Sequence, residues 1–103
     1  MLTRSRSRAL LWAVLYTVGM YYTYVLKGTS DPSFYIGYSS DLRRRVAEHN
    51  AGNNTSTKRG RPWVVVYYEA YLSEYAAKER ELRLKQRGRA WQEVKRRIDS
   101  NNA

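Results

Sequence analysis

The sequence predicts a small α+β domain, a three-stranded antiparallel sheet with helices on its faces, in the order β-β-α-β-α-α. Three observations predict this fold. Two short aromatic-rich runs with period-2 alternation flank a turn. A third run, β-branched and aromatic, stands in the second half, and segments with helical spacing follow the second and third runs. The chain has 103 residues, enough for one small domain.

The first two runs predict a β-hairpin. Residues Tyr21–Lys27 and Phe34–Tyr38 both alternate between two faces and are rich in aromatic and β-branched side chains. Between them, Gly28 and Pro32 are typical of a turn. We therefore expect these runs to form the first two strands of the sheet.

A helix is expected directly after the hairpin. Ser39 or Ser40 can cap it, and Asp41 puts negative charge in its first turn. Arg45 and His49 are four residues apart, so they project from one face of this helix.

The segment after this helix is polar and basic. Asn50 and Gly52 can end the helix in a left-handed cap, and residues 53–62 are rich in turn formers, which predicts a loop. Its cations and hydroxyls suit contact with phosphate groups: Lys58, Arg59, Arg61, Thr55, Ser56 and Thr57.

Residues Trp63–Ala70 give the clearest strand signal. The continuous β-branched and aromatic run predicts a central strand covered on both faces. Near its end, Glu69 is interpreted as a structural carboxylate paired with a basic neighbour.

Two helices are expected in the last third of the chain. Ser73 can cap the first, which runs to about Arg87 and ends at Gly88. The second covers residues 89–98, with a 3,4-spaced apolar stripe that includes Trp91, expected to close the core.

Glu81 is the carboxylate of interest in these helices. It shares a helical stripe with Ala77 and Leu84, so it is expected to face the sheet. Burying an unpaired carboxylate is costly, and metal coordination is one way to offset that cost. Pairing of Glu81 with an arginine is the alternative, and Glu79 takes the metal-binding place if the helical phase differs.

The ends of the chain lie outside the expected domain at residues 20–98. Residues 1–19 combine alternating arginines with the apolar run 9–18, and residues 99–103 form a polar tail. The apolar run is too short for a comfortable membrane span. It is interpreted as an extension, with targeting or export and membrane-surface binding as alternatives.

Composition favours a polyanionic partner. The formal net charge is +10, which favours nucleic acid over an anionic membrane. The chain has no cysteine, which excludes disulfides, thiolate metal sites and a cysteine nucleophile. This cysteine usage suits a reducing cytoplasm, the expected location.

An ordered set of residues resembles the GIY-YIG nuclease domain, which occurs in the incision subunit of bacterial nucleotide-excision repair and in small stand-alone proteins. Residues 35–37 match the second signature literally, whereas residues 22–24 read Tyr-Thr-Tyr where the family has Gly-Ile-Tyr. The spacing between the signatures also fits. Arg45, His49 and Glu81 stand at the family's catalytic arginine, frequent histidine and metal-binding glutamate.

The resemblance implies a DNA endonuclease with a place in DNA repair and with one Mg²⁺ or Mn²⁺ held by Glu81. It implies Tyr24 as general base with Tyr35 in support, while His49 is the alternative, and Arg45 and the metal are expected to favour the Tyr24 phenolate. Expected nucleic-acid contacts are Gly37, Arg43, Lys58, Arg59 and Arg61. Because the first signature is degenerate, a non-catalytic nucleic-acid-binding module remains the alternative.

Overall fold

The computed structural model describes residues 19–101, and the expected extension at residues 1–19 lies almost wholly outside them. The elements are β1 (Tyr21–Gly28), β2 (Phe34–Ser39), α1 (Leu42–Ala51), a 3-10 helix (Thr55–Gly60), β3 (Trp63–Tyr71), α2 (Glu74–Lys85) and α3 (Arg89–Asn101). The predicted α+β class and element order are confirmed. No helix in this described part is long and apolar enough to cross a membrane.

The sheet has the order β2-β1-β3, with both pairings antiparallel. The prediction that the Trp63 run is the central strand is therefore wrong. β1 is hydrogen-bonded on both sides, and Thr23, Tyr24, Val25 and Leu26 are all buried. β3 is an edge strand that exposes Val64, Val65 and Tyr68. An apolar run of this kind does not reveal which strand has two neighbours.

Two clusters of side chains form the core, one on each face of the sheet. On the face covered by α1, Tyr24, Leu26 and Trp63 pack with partly buried residues of β2 and α1. The opposite face, covered by α2 and α3, holds the larger cluster: Val25, Ile36, Leu84, Trp91, Val94 and Ile98. The expected apolar stripe of α3 is therefore buried, and Trp91 closes the core against Phe34.

The helix ends differ from expectation in detail. Asp41 is itself the N-cap of α1, and its carboxylate accepts a hydrogen bond from the Arg44 N–H at 3.1 Å. At the other end, Gly52 has φ 82°, which confirms the predicted left-handed cap. Ser73 caps α2 as expected, but the helix ends at Lys85, and the left-handed residue is Arg87 rather than Gly88.

One further expectation is corrected. Residues 53–62 were expected to be a loop, but Thr55–Gly60 forms a 3-10 helix whose N-cap, Asn54, accepts a hydrogen bond from the Ser56 N–H. At the other end of the domain, α3 continues to Asn101, so the first residues of the polar tail are helical. Polarity distinguishes exposed from buried segments better than it distinguishes loops from short helices.

Candidate active site

Tyr24 reaches the site by crossing Gly37. The two residues are partners across β1 and β2, so a side chain at either position points to the same face of the sheet. A Cβ at position 37 would lie 2.6 Å from the Tyr24 hydroxyl oxygen and 3.1 Å from the Tyr35 ring. The glycine therefore makes room for the Tyr24 phenol.

His49 of α1 is wholly buried against these tyrosines. Its Nε2 lies 3.2 Å from the Tyr24 hydroxyl oxygen, and its ring meets the Tyr35 ring edge-on at a centroid distance of 4.7 Å. Three of the predicted site residues thus form one contiguous cluster between α1 and the β1–β2 hairpin.

Arg45 lies one turn before His49 on the same helix. Its side chain is about one-third exposed, and its Nη1 is 3.4 Å from the Glu48 carboxylate. Burial alone would lower the pKa of the guanidinium, but the combined effect of Tyr24, Glu48 and Tyr35 raises it. A partly exposed, permanently charged guanidinium beside a phenol is well placed to bind a phosphate oxygen.

Burial dominates the electrostatics of the two proton-carrying groups. It raises the pKa of Tyr24 to about 12, against the lowering effect of its hydrogen bond to Arg45. Burial, with the charge of Arg45 second, lowers the pKa of His49. Both groups are therefore neutral near pH 7, and the expectation that Arg45 would favour a Tyr24 phenolate is not met by the protein alone.

Glu81 stands on α2, which covers the other face of the sheet, and the link between Glu81 and Tyr24 is electrostatic. Its side chain is only 14% exposed, which agrees with the predicted helical phase, and its charge contributes to the raised pKa of Tyr24. Its ion-pair partner is Lys85 at 3.5 Å rather than an arginine. Glu79 is exposed and lines a separate groove between α2 and α3, so the structure favours Glu81 over Glu79 as the carboxylate of this site.

The donors present fit a hard divalent cation held by few protein ligands. Within residues 19–101, no three histidine, aspartate or glutamate side chains come together as a metal cage. Mg²⁺ commonly keeps several waters and is bound by one or two carboxylates together with substrate phosphates. A half-buried carboxylate whose partner is a flexible, half-exposed lysine can serve in that way.

The expected nucleic-acid contacts are distributed over two places. Lys58, Arg59 and Arg61 are exposed on and just after the 3-10 helix, which packs on α1. Arg43 lies elsewhere, beside a groove between the start of α1 and the exposed part of the sheet. Gly37 is buried against Tyr24 and Tyr35.

Two residues of the first signature, Tyr22 and Thr23, depart from the family pattern, and Thr23 does not face the site. Thr23 alternates with Tyr24, and its side chain lies on the opposite face of the sheet, where its hydroxyl donates to the Ala77 carbonyl at 2.9 Å. The departure at Thr23 thus affects a contact between β1 and α2. Tyr22 lies on the same face of β1 as Tyr24, where its ring packs edge-on against Tyr68 of β3.

Sequence reasoning missed the role of Thr57. It was expected to offer a hydroxyl to phosphate, but the residue is buried and its Oγ1 lies 2.9 Å from His49 Nδ1. Composition gave no signal for this contact, because a threonine among seven polar neighbours reads as exposed. The proximity depends on the fold of the 3-10 helix back onto α1.

Comparison with known proteins finds one domain family and several relatives. The model of the GIY-YIG catalytic domain matches residues 20–98. A UPF0213 protein of Halobacterium salinarum is 44% identical over 76 residues, which cover 73% of this chain and 97% of the relative. A UPF0213 protein of Staphylococcus haemolyticus is 41% identical over 66 residues, which cover 63% of this chain and 79% of the relative. The solution structure of a UPF0213 protein of Bacillus halodurans aligns with 33% identity and a TM-score of 0.45, covering 73% of this chain and 80% of that one.

Proposed function

The chain belongs to the GIY-YIG catalytic domain family, and from that premise we propose that it is a metal-dependent endonuclease that hydrolyses DNA phosphodiester bonds. One observation carries the proposal. Tyr24, Tyr35, Arg45 and His49 converge on one face of the sheet, and Glu81 lies close enough to raise the pKa of Tyr24. A phenol, a guanidinium and an imidazole in one place suit phosphodiester hydrolysis, and the charge of Glu81 acts on the same phenol.

Arg45 binds and stabilises the phosphate in this mechanism. Charge develops on the phosphoryl oxygens as the attacking oxygen approaches phosphorus, and a planar guanidinium can donate two parallel hydrogen bonds to them. The ion pair with Glu48 helps to hold the guanidinium in place before substrate arrives. Such preorganisation reduces the reorganisation needed in the transition state.

Tyr24 and His49 together accept the proton of the attacking water. Neither group is charged near pH 7, so the phenol is a poor base by itself. The Tyr24 oxygen takes a proton from water while the Tyr24 hydroxyl passes its own proton to His49 Nε2, across the observed 3.2 Å contact. The products of that step are hydroxide, neutral Tyr24 and an imidazolium.

Glu81 holds the cation, Mg²⁺ or Mn²⁺. When bound, that ion supplies Lewis-acid stabilisation of charge on the phosphate and the leaving oxygen. Oxygen donors of this kind are poorly suited to zinc. The pairing with Lys85 keeps the carboxylate satisfied when no ion is bound, because a buried unpaired charge would be costly.

DNA is bound through its backbone with weak sequence preference. The net charge of +10 and the exposed cations of the 3-10 helix favour phosphate contacts, which carry no sequence information. A domain of this size offers little surface for reading base edges.

The experiment that tests this function measures nicking of supercoiled plasmid and of a branched oligonucleotide with Mg²⁺, Mn²⁺ or EDTA. We expect metal-dependent cutting by the wild type and a loss of at least about 10²-fold in Glu81→Gln, since the metal supplies several kcal/mol. Glu79→Gln is the matched control on the same helix and should cut normally. DNA binding should persist in both variants.

Two results would contradict the proposal. Cutting that survives Glu81→Gln would show that Glu81 is not the ligand. Binding without cutting under every metal would favour the non-catalytic module.

A further inference from the structure

A continuous line of hydrogen-bonding groups runs inward from Tyr24. The Tyr24 hydroxyl oxygen is 3.2 Å from His49 Nε2, and His49 Nδ1 is 2.9 Å from Thr57 Oγ1. The Thr57 hydroxyl is in turn 3.2 Å from the Asn54 carbonyl oxygen. His49 and Thr57 are 0% and 1% exposed, so the inner part of this line, from His49 to Thr57, is closed to solvent.

The number of available protons fixes which group donates and which accepts in each of these hydrogen bonds. A carbonyl oxygen can only accept, so the Thr57 hydroxyl must donate its single proton to Asn54 if that contact is a hydrogen bond. Thr57 Oγ1 then accepts from His49, which places the proton of the neutral imidazole on Nδ1. Nε2 keeps a lone pair and accepts from the Tyr24 hydroxyl. The reverse arrangement leaves the Thr57–Asn54 contact without a proton.

We propose that Thr57 is a positioning residue that holds His49 in the Nδ1–H tautomer and so directs its Nε2 lone pair at the Tyr24 hydroxyl. The inference deepens the proposed function and, in its consequence for catalysis, rests on it. With the opposite tautomer, Nε2–H would donate to Tyr24 and could not take the phenol proton. Thr57 would thereby decide whether the Tyr24–His49 pair can act as a base.

Thr57 is held rigidly enough for this role. Its backbone carbonyl accepts a hydrogen bond from Trp63 Nε1 at 2.6 Å, and its N–H donates to the Asn54 carbonyl at 3.2 Å. Trp63 is itself tied to α1, because its N–H donates to the Asn50 side chain at 2.6 Å. The 3-10 helix is thus fixed to both α1 and β3, and a fixed partner is what selects one tautomer of an imidazole.

The tautomer can be measured without any assumption about activity. The chain has a single histidine, so ¹⁵N side-chain NMR of the whole protein reports His49 alone. Near neutral pH we expect a pyrrole-type Nδ1 and a pyridine-type Nε2 in the wild type. Thr57→Val keeps the shape of the side chain but removes the hydroxyl, and it should shift the population toward Nε2–H. Thr57→Ser keeps the hydroxyl and should retain the wild-type signals.

Metal-dependent nicking of supercoiled plasmid provides the second readout. We expect Thr57→Val to nick plasmid about 10²-fold more slowly than the wild type, which is the lower range of what general acid–base groups contribute to rate. Thr57→Ser should recover most of that rate. If Thr57 served only stability, the His49 tautomer would be the same in the serine and valine variants.

The proposal is overturned if wild-type His49 carries its proton on Nε2, or if Thr57→Val leaves the Nδ1–H signals unchanged. It is also overturned if Thr57→Val changes the tautomer of an active nuclease without slowing cleavage. Should the wild type not cut DNA at all, the proposed function fails, while the NMR result still decides whether Thr57 sets the tautomer. The wild-type spectrum alone can refute the proposal if Thr57→Val does not fold.

Discussion

The absence of a side chain at position 37 is what lets Tyr24 enter the site. The Tyr24 ring lies across the Gly37 backbone, and a Cβ there would be 2.6 Å from its hydroxyl oxygen and 2.7 Å from its Cζ. Tyr24 is 1% exposed, so the ring has little space into which it can retreat. Any larger residue at this position must displace the phenol from His49.

At this residue scale we expect Gly37→Ala to impair both stability and activity. Overpacking a buried site costs about 1–3 kcal/mol, and displacement of Tyr24 should reduce nicking by at least about tenfold. Thermal unfolding and plasmid nicking measure the two effects.

Gly88→Ala provides the matched control. A Cβ at position 88 would meet nothing within 4 Å, so the unfolding free energy should change by less than about 1 kcal/mol. Equal behaviour of the two alanine variants would show that Tyr24 adapts to a side chain at position 37.

At the scale of elements, a polar network joins α2 to the end of β3. Arg80 of α2 donates from Nε and Nη2 to the two carboxylate oxygens of Glu69, at 2.8 and 3.0 Å. The Tyr67 and Tyr71 hydroxyls donate to the same carboxylate. The prediction that Glu69 is a structural carboxylate with a basic partner is confirmed. Because α2 also carries Glu81, this network helps to set the position of the expected metal ligand.

Glu69 should make stability depend on pH in the acidic range. Burial raises its pKa, but hydrogen bonds from Arg80 and the two tyrosines outweigh burial and leave the pKa below its ordinary value. A group with a lowered pKa contributes stability that is present above the unfolded-state pKa of about 4.3 and is lost as the pH falls through the folded-state value. We therefore expect Glu69→Gln to lower the free energy of unfolding by about 2 kcal/mol at pH 7. As the pH falls, the stability of this variant should decrease less than that of the wild type.

Chemical unfolding over a pH series measures this effect. Glu93→Gln is the control, since its pairing with Arg89 at 3.8 Å is solvent-exposed and should contribute less than about 0.5 kcal/mol. Parallel pH curves for the wild type and Glu69→Gln would refute the structural role of the network.

At the scale of the whole molecule, positive charge outweighs negative charge by ten. The exposed cations of the 3-10 helix adjoin the α1 side of the sheet, where the candidate active site lies. The exposed cations of α3 lie on the other side of the molecule, because α3 covers the opposite face of the sheet. A DNA backbone that reaches Arg45 should therefore contact the first group and not the second.

We expect Lys58→Ala to weaken DNA binding and to lower the slope of log K against log salt concentration by about 1, as for the loss of one phosphate contact. Lys95→Ala on α3 removes the same charge from an exposed position and should leave the slope unchanged. Fluorescence anisotropy with a labelled duplex at several salt concentrations measures the slope for each variant. Equal slopes for both variants would mean that binding depends on total charge rather than on this surface.

The sequence by itself determined the α+β class, the element order and the apolar stripe of α3. It also determined that Arg45 and His49 share one face of α1 and that Glu81 is turned toward the sheet. These features depend on local periodicity, since a strand repeats every two residues and a helix every 3.6. Spacing along one element is enough to place such residues on a common face.

Only the tertiary structure decided that β1 is the central strand, that Gly37 accommodates Tyr24, that Glu69 binds Arg80 and that Thr57 is buried on His49. Each of these facts joins segments that lie apart in the chain. The physical reason is that strand pairing and helix docking choose among partners that local spacing leaves equivalent. A threonine in a polar segment carries no mark of the imidazole against which it will pack.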